Sequence, residues 1–218
     1  MSDVTNTDEL FIQIRTAHRF LASYYQRLLP TIEQIATQLE LDFYFWLPRE
    51  FERPSQLTTN PFERWQWDML PALSTYYTFK RVEDINKLRF GEYLISFWVI
   101  SDTGVSSDEM NGVQADALLL KKRPEDSESI MKIGVFTPYK EKDTNWYRNI
   151  WSPCPHPQYV ALDEEAKITK DADGYPVVSC GFQVPIAKLM TDDGIKKIIE
   201  KTQTVRDQAL LYAKEVAV

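Results

Sequence analysis

Residues 93–100 read Tyr-Leu-Ile-Ser-Phe-Trp-Val-Ile, an apolar run rich in aromatic and β-branched side chains. Such a composition predicts a β-strand. Further runs predict strands at 117–120, 131–136, 159–162, 166–169 and 177–184. No helical pattern of ten residues separates these runs after Tyr93, so the sheet is expected to be mainly antiparallel. The turn residues 171–174 (Asp-Ala-Asp-Gly) predict a hairpin between the last two strands.

Two long amphipathic helices are predicted at the two ends of the chain. Apolar residues recur at steps of three and four over 8–41 and again over 191–217. Thr7 is the expected cap of the first helix, and Thr191, Asp192 and Asp193 are candidate caps of the second. Pro30 is expected to kink the first helix or to divide it in two. The helices are expected to pack on one sheet or on each other, and their near-heptad spacing also allows a homodimer.

The complete chain, 1–218, is therefore predicted to be a single α+β domain. Its length and its 44% hydrophobic content suit a single core. The predicted antiparallel sheet occupies 88–185 and is flanked by the N-terminal and C-terminal helices. The segment 42–80 is rich in aromatic residues and interrupted by prolines. It is expected to wrap the domain in short helical or extended pieces.

Charge and composition exclude several classes of protein. The formal net charge is −7, which disfavours attraction to nucleic acid or to an anionic membrane. No apolar run approaches the length of a membrane span, and the polar, acidic N-terminus does not resemble a secretory leader. With two cysteines in 218 residues, no disulfide framework is expected. The sequence therefore predicts a cytoplasmic protein.

Motifs that carry catalytic chemistry are mostly absent from the sequence. It has no glycine-rich dinucleotide fingerprint, no phosphate loop, no zinc-protease helix and no serine nucleophile elbow. Cys154 and His156 lie two residues apart between prolines, but a structural zinc site needs two further ligands. The favoured interpretation of this pair is an irregular loop, and an enzyme is the less favoured class of function.

The aromatic segment supplies the leading functional hypothesis. Trp65, Trp67 and Asp68 combine tryptophans with charge, as binding anchors in protein interfaces often do, although packing in the core or along the domain is the favoured interpretation of the tryptophans. The expected function is a non-enzymatic protein-binding protein of the immunity, inhibitor or accessory-subunit type. An acidic surface with aromatic anchors favours another protein, and a basic one, as the partner.

Acidic residues near the end of the first predicted strand give the alternative hypothesis. Asp102, Asp108, Glu109 and Asp116 could hold Mg²⁺ in a metal-dependent hydrolase or nuclease, with Asp102 and Asp116 as its catalytic acids. The acid-and-lysine spacing typical of restriction-type nucleases is not present. A solvated acidic loop is therefore the simpler interpretation, and no cofactor is expected under the leading hypothesis.

Overall fold

The computed structural model of the chain describes residues 2–49, 73–105, 119–170 and 172–217. The helices are α1 (Ser2–Gln38) and α2 (Asp192–Glu215). The strands are β1 (Asp42–Pro48), β2 (Ser74–Arg81), β3 (Tyr93–Ile100), β4 (Ile130–Pro138), β5 (Tyr159–Ala161), β6 (Thr169–Lys170) and β7 (Val177–Pro185). A π-helix, Trp146–Trp151, lies between β4 and β5.

The strands form one sheet in the order β1-β2-β3-β4-β7-β5, with β6 also paired to β7. Every pairing is antiparallel except that of β5, which lies parallel to β7. The predicted mainly antiparallel sheet is therefore confirmed. The predicted hairpin is present as β6–β7, although its first strand is Thr169–Lys170 rather than 166–169. The strand β3 pairs with β2 and β4 along nearly its whole length. Its side chains are buried on both faces of the sheet, which explains why the run 93–100 is apolar at almost every position.

Apolar layers cover both faces of the sheet. On one face, Phe97, Ile133 and Phe182 pack in a single cluster with Ile35 of α1 and Ile198 of α2. The predicted flanking by the two terminal helices is thus confirmed. The second face carries a separate and more aromatic cluster, whose fully buried members include Tyr76, Phe136, Trp146 and Trp151.

The structure corrects the wrapping interpretation of 42–80 at both ends of that segment. Residues Asp42–Pro48 and Ser74–Arg81 are regular strands of the sheet. Their aromatic side chains favour a pleated, half-buried surface. That surface is supplied by the pairing of β1 with β2 and of β2 with β3. The strand predicted at 117–120 is also wrong where it can be examined, because residues 119–120 are irregular and 117–118 lie outside the described residues.

The helix α1 extends further toward the N-terminus than predicted. It begins at Ser2 rather than after Thr7, and Pro30 does not divide it in two. Proline removes a backbone hydrogen bond from a helix interior. Packing of Leu28 and Ile32, both buried, on either side of Pro30 offsets that cost. Neither helix has an apolar stretch in its described residues long enough to cross a membrane.

Of the three candidate caps of α2, Thr191 is the one observed. The hydroxyl oxygen of Thr191 accepts a hydrogen bond from the backbone N–H of Gly194 at 3.2 Å. Asp192 and Asp193 follow in the first turn, where carboxylates interact favourably with the positive end of the helix dipole.

A close approach between β7 and β5 requires glycine at position 181. A Cβ atom at Gly181 would lie 2.7 Å from the carbonyl oxygen of Ile133 and 2.8 Å from the ring of Tyr159. We expect Gly181→Ala to lower the free energy of unfolding by about 1.5 kcal/mol, because a buried backbone atom would have to move. Urea unfolding measures the effect.

The matched control is Gly134→Ala on the neighbouring strand β4. There the nearest atom to an added Cβ is the Tyr159 hydroxyl oxygen, 3.2 Å away, so a smaller loss of stability is expected. Equal stability of Gly181→Ala and the unmodified protein would contradict the assignment.

Candidate functional site

An aromatic groove of about 460 Å³ lies between the edge strand β1, the loop after β2 and the π-helix. Its lining residues are Tyr44, Phe45, Trp46, Ile85, Asn86, Asn145, Tyr147 and Arg148. Tyrosine, tryptophan and arginine are the residue types most enriched at the energetic centres of protein interfaces. The groove has the composition of a binding surface for another protein.

The π-helix presents Tyr147 and Arg148 to this groove. Its first turn is held by Asn145, whose side-chain oxygen accepts a hydrogen bond from the backbone N–H of Arg148 at 2.8 Å. The amide nitrogen of Asn145 donates to the side-chain oxygen of Asn86 at 2.9 Å, so the π-helix is tied to the opposite rim. π-Helices are rare and occur frequently at functional sites.

The half-buried ring of Phe45 holds the aromatic lining in place. Phe45 packs edge-on against Tyr147 and Trp151, each with a centroid distance of 4.8 Å, and lies 5.0 Å from Tyr44. The phenol of Tyr44 is protonated at neutral pH, and burial raises its pKa further. Rings fixed in this way lose little conformational entropy when a partner binds.

The strand β1 forms one edge of the sheet. It pairs with β2 on one side, and none of the other strands in the described ranges lies on its opposite side. Phe43 and Trp46 are exposed along this strand, and a register shift between Phe43 and Phe45 bends it. An edge strand can accept an extended segment of a partner by main-chain hydrogen bonding.

His156 lies in a box of aromatic rings that includes Trp151, the ring on which Phe45 packs. Its ring centroid is 5.0 Å from that of Trp151 and 5.4 Å from that of Phe136. Its Nδ1 atom lies 3.4 Å from the hydroxyl oxygens of Tyr76 and Tyr159. Burial, aided by the positive charge of Arg49, lowers the pKa of His156 to about 4. The imidazole is therefore neutral at pH 7 and packs as a polar ring.

Cys154 does not have the surroundings of a nucleophile. It is buried, its thiol hydrogen-bonds the carbonyl oxygen of Pro155 at 3.4 Å, and burial raises its pKa to about 11. Catalytic cysteines have lowered pKa values. The segment that carries Cys154 and His156 is irregular, as the sequence predicted.

The site residues proposed from the sequence fall mostly outside the described residues. Trp65, Trp67 and Asp68 lie there, and so do Asp108, Glu109 and Asp116. Asp102 is described, and its carboxylate accepts a hydrogen bond from the backbone N–H of Gly104 at 2.7 Å, which closes a turn. Within the described ranges no three histidine, cysteine or acidic residues are grouped to hold a metal ion. The Mg²⁺ site at 102–116 stays a prediction.

Sequence reasoning missed Tyr147 and Arg148. Residues 145–151 read Asn-Trp-Tyr-Arg-Asn-Ile-Trp, which has no helical or alternating periodicity. The available signal was the density of aromatic residues after an asparagine able to cap a helix. That signal does not by itself predict a π-helix or its position beside β1.

Comparison with known proteins places the chain in a family. A family model described as PM0109 matches residues 4–210. The chain belongs to the PM0109 family. It is similar to "Uncharacterized protein PM0109" from Pasteurella multocida (strain Pm70), with 22% identity over 203 residues that cover 91% of this chain and 93% of that protein. No solved structure matches the chain. These comparisons establish the family of the chain but do not identify an activity.

Proposed function

We propose that this PM0109-family chain is a non-enzymatic protein-binding protein that holds its partner in the groove between β1 and the π-helix. The observation that supports the proposal is the aromatic lining of that groove, placed beside an edge strand. An immunity, inhibitor or accessory-subunit role is the type of function that fits. The cytoplasmic location predicted from the sequence is part of the same proposal.

The chemistry of the groove favours an extended partner segment. Hydrogen bonding to the backbone of β1 would align the segment, and the rings of Trp46 and Tyr147 would receive its side chains. The net charge of −7 favours a basic partner, because complementary charge speeds encounter. Arg148 on the rim gives the segment one site for a carboxylate or a backbone carbonyl.

Affinity capture from the source-cell lysate tests the proposal with the full chain as bait. We expect Tyr147→Ala and Trp46→Ala each to reduce the captured partner about tenfold, because each substitution removes an aromatic anchor. Quantitative mass spectrometry against the unmodified bait measures the loss. Raising the salt concentration should also lower capture, since screening weakens the attraction between opposite charges.

The matched control is Phe90→Ala. Phe90 is also an exposed aromatic residue but does not line the groove. This variant should capture the partner at the level of the unmodified chain. Melting temperatures of all three variants establish that they are folded. A partner captured equally by the three folded variants and the unmodified chain would refute the groove as the binding site.

A further inference from the structure

The apolar stripe of α1 continues well beyond the part that packs on the sheet. Over 24–39 the stripe is covered, with Leu28 at 0% and Ile32 at 2% exposure. Leu10, Ile14 and Leu21 extend the same stripe toward the N-terminus at helical spacing, and they are 51%, 41% and 39% exposed. One face of a single helix is therefore core at one end and surface at the other.

The lengths of the elements explain this division. The 37 residues of α1 span about 55 Å, whereas the eight residues of β3 span about 27 Å. The hydroxyl of Tyr24 meets that of Ser101, just past the end of β3, at 3.2 Å. The helix extends beyond the sheet on the N-terminal side of Tyr24. Contiguous apolar surface of this kind marks an interaction site.

The charge along this half of α1 favours a second copy of the same helix as the occupant. Glu9 precedes Arg15, Arg19 and Arg27, and in the sequence residues 2–14 contain acids but no lysine or arginine. Residues 15–27 contain arginines and no acid. An antiparallel pair of these segments places negative charge against positive charge, whereas a parallel pair places like against like.

We propose that the N-terminal half of α1 pairs with the same segment of a second copy in antiparallel orientation. A pair centred between residues 15 and 16 sets Leu10 opposite the partner's Leu21 and Ile14 opposite the partner's Ala17. All the apolar residues of the exposed stripe then meet apolar residues. This interface shares no residue with the groove at β1, so the proposal goes beyond the proposed function.

Sedimentation equilibrium of the full chain, at concentrations up to about 100 μM, tests self-association. We expect the unmodified chain to be a dimer, and we expect Ile14→Glu and Leu21→Glu each to convert it to a monomer. The melting temperature should not change, because both positions are exposed. Leu211→Glu is the matched control, because Leu211 of α2 is 60% exposed yet lies outside the stripe. This variant should remain a dimer. A monomer at every concentration, or a dimer that withstands both stripe substitutions, would overturn the proposal.

Cross-linking tests the orientation of the pair. A mixture of the Leu10→Cys and Leu21→Cys variants should form a disulfide-linked dimer on mild oxidation, whereas Leu10→Cys alone should not. The native cysteines Cys154 and Cys180 are both buried and should not contribute. Efficient cross-linking of Leu10→Cys with itself would exclude the antiparallel arrangement.

Charge exchange gives a second test of the orientation: Arg19→Glu should weaken the dimer, and adding Glu9→Arg should restore it.

Discussion

Replacing Trp151 with alanine is expected to lower the free energy of unfolding by about 4 kcal/mol, the usual range for a large buried aromatic residue. Trp151 is 2% exposed and packs against Phe45, Tyr76 and His156. Its removal leaves a cavity directly beneath the groove. Urea unfolding followed by circular dichroism measures the loss, and partner capture should fall with it because Phe45 loses its support.

A milder pair of variants separates the hydrogen bond of Trp151 from its packing. The indole nitrogen of Trp151 donates to the hydroxyl oxygen of Ser96 at 2.7 Å. The indole nitrogen of Trp146, also fully buried, has no hydrogen-bond partner within the described residues. Trp151→Phe should therefore destabilise the protein by about 1 kcal/mol more than Trp146→Phe. Equal losses from the two substitutions would mean that the hydrogen bond to Ser96 adds no net stability.

The second large effect is a loss of stability on mild acidification, caused by His156. The pKa of this imidazole is about 4 in the folded protein and 6.5 without burial. Below pH 6.5 the unfolded chain takes up a proton that the folded protein does not accept. Stability therefore falls as the pH drops from 6.5 toward 4 and this contribution then levels off. Between pH 7.5 and pH 5 the expected loss is about 2 kcal/mol.

Unfolding at a series of pH values compares the unmodified chain with His156→Gln, which keeps a polar side chain but does not titrate. Between pH 7.5 and pH 5, we expect His156→Gln to lose about 2 kcal/mol less stability than the unmodified chain. An unchanged slope in His156→Gln would show that the imidazole is solvated in the folded state.

Local sequence was sufficient to predict the elements that have a clear residue pattern of their own. The run 93–100 predicted β3, and the turn residues at 171–174 predicted the β6–β7 hairpin. The strands β1 and β2 were missed because prolines and clustered aromatic residues obscure any alternation. Their identity as strands depends on pairing with each other and with β3, which is information from distant parts of the chain.

The groove depends even more strongly on contacts between distant residues. Tyr147 and Arg148 become a site because Asn145 bonds to Asn86, which is far from it in the sequence, and because Phe45 packs on Tyr147. Nothing in the order of residues 145–151 encodes these neighbours. A position in a groove is a property of the folded surface, so sequence periodicity could not have located it.

The helix α1 shows most clearly what residue order determines and what only the tertiary structure determines. Its apolar stripe, and the antiparallel charge pattern at its N-terminal end, follow from residue order alone. Which half of the stripe is covered does not, because the pattern at Leu10 and Leu21 is the same as that at Leu28 and Ile32. The sheet decides it: strands of about 27 Å cannot cover a helix of about 55 Å, so the remainder faces solvent and is free to meet a second copy.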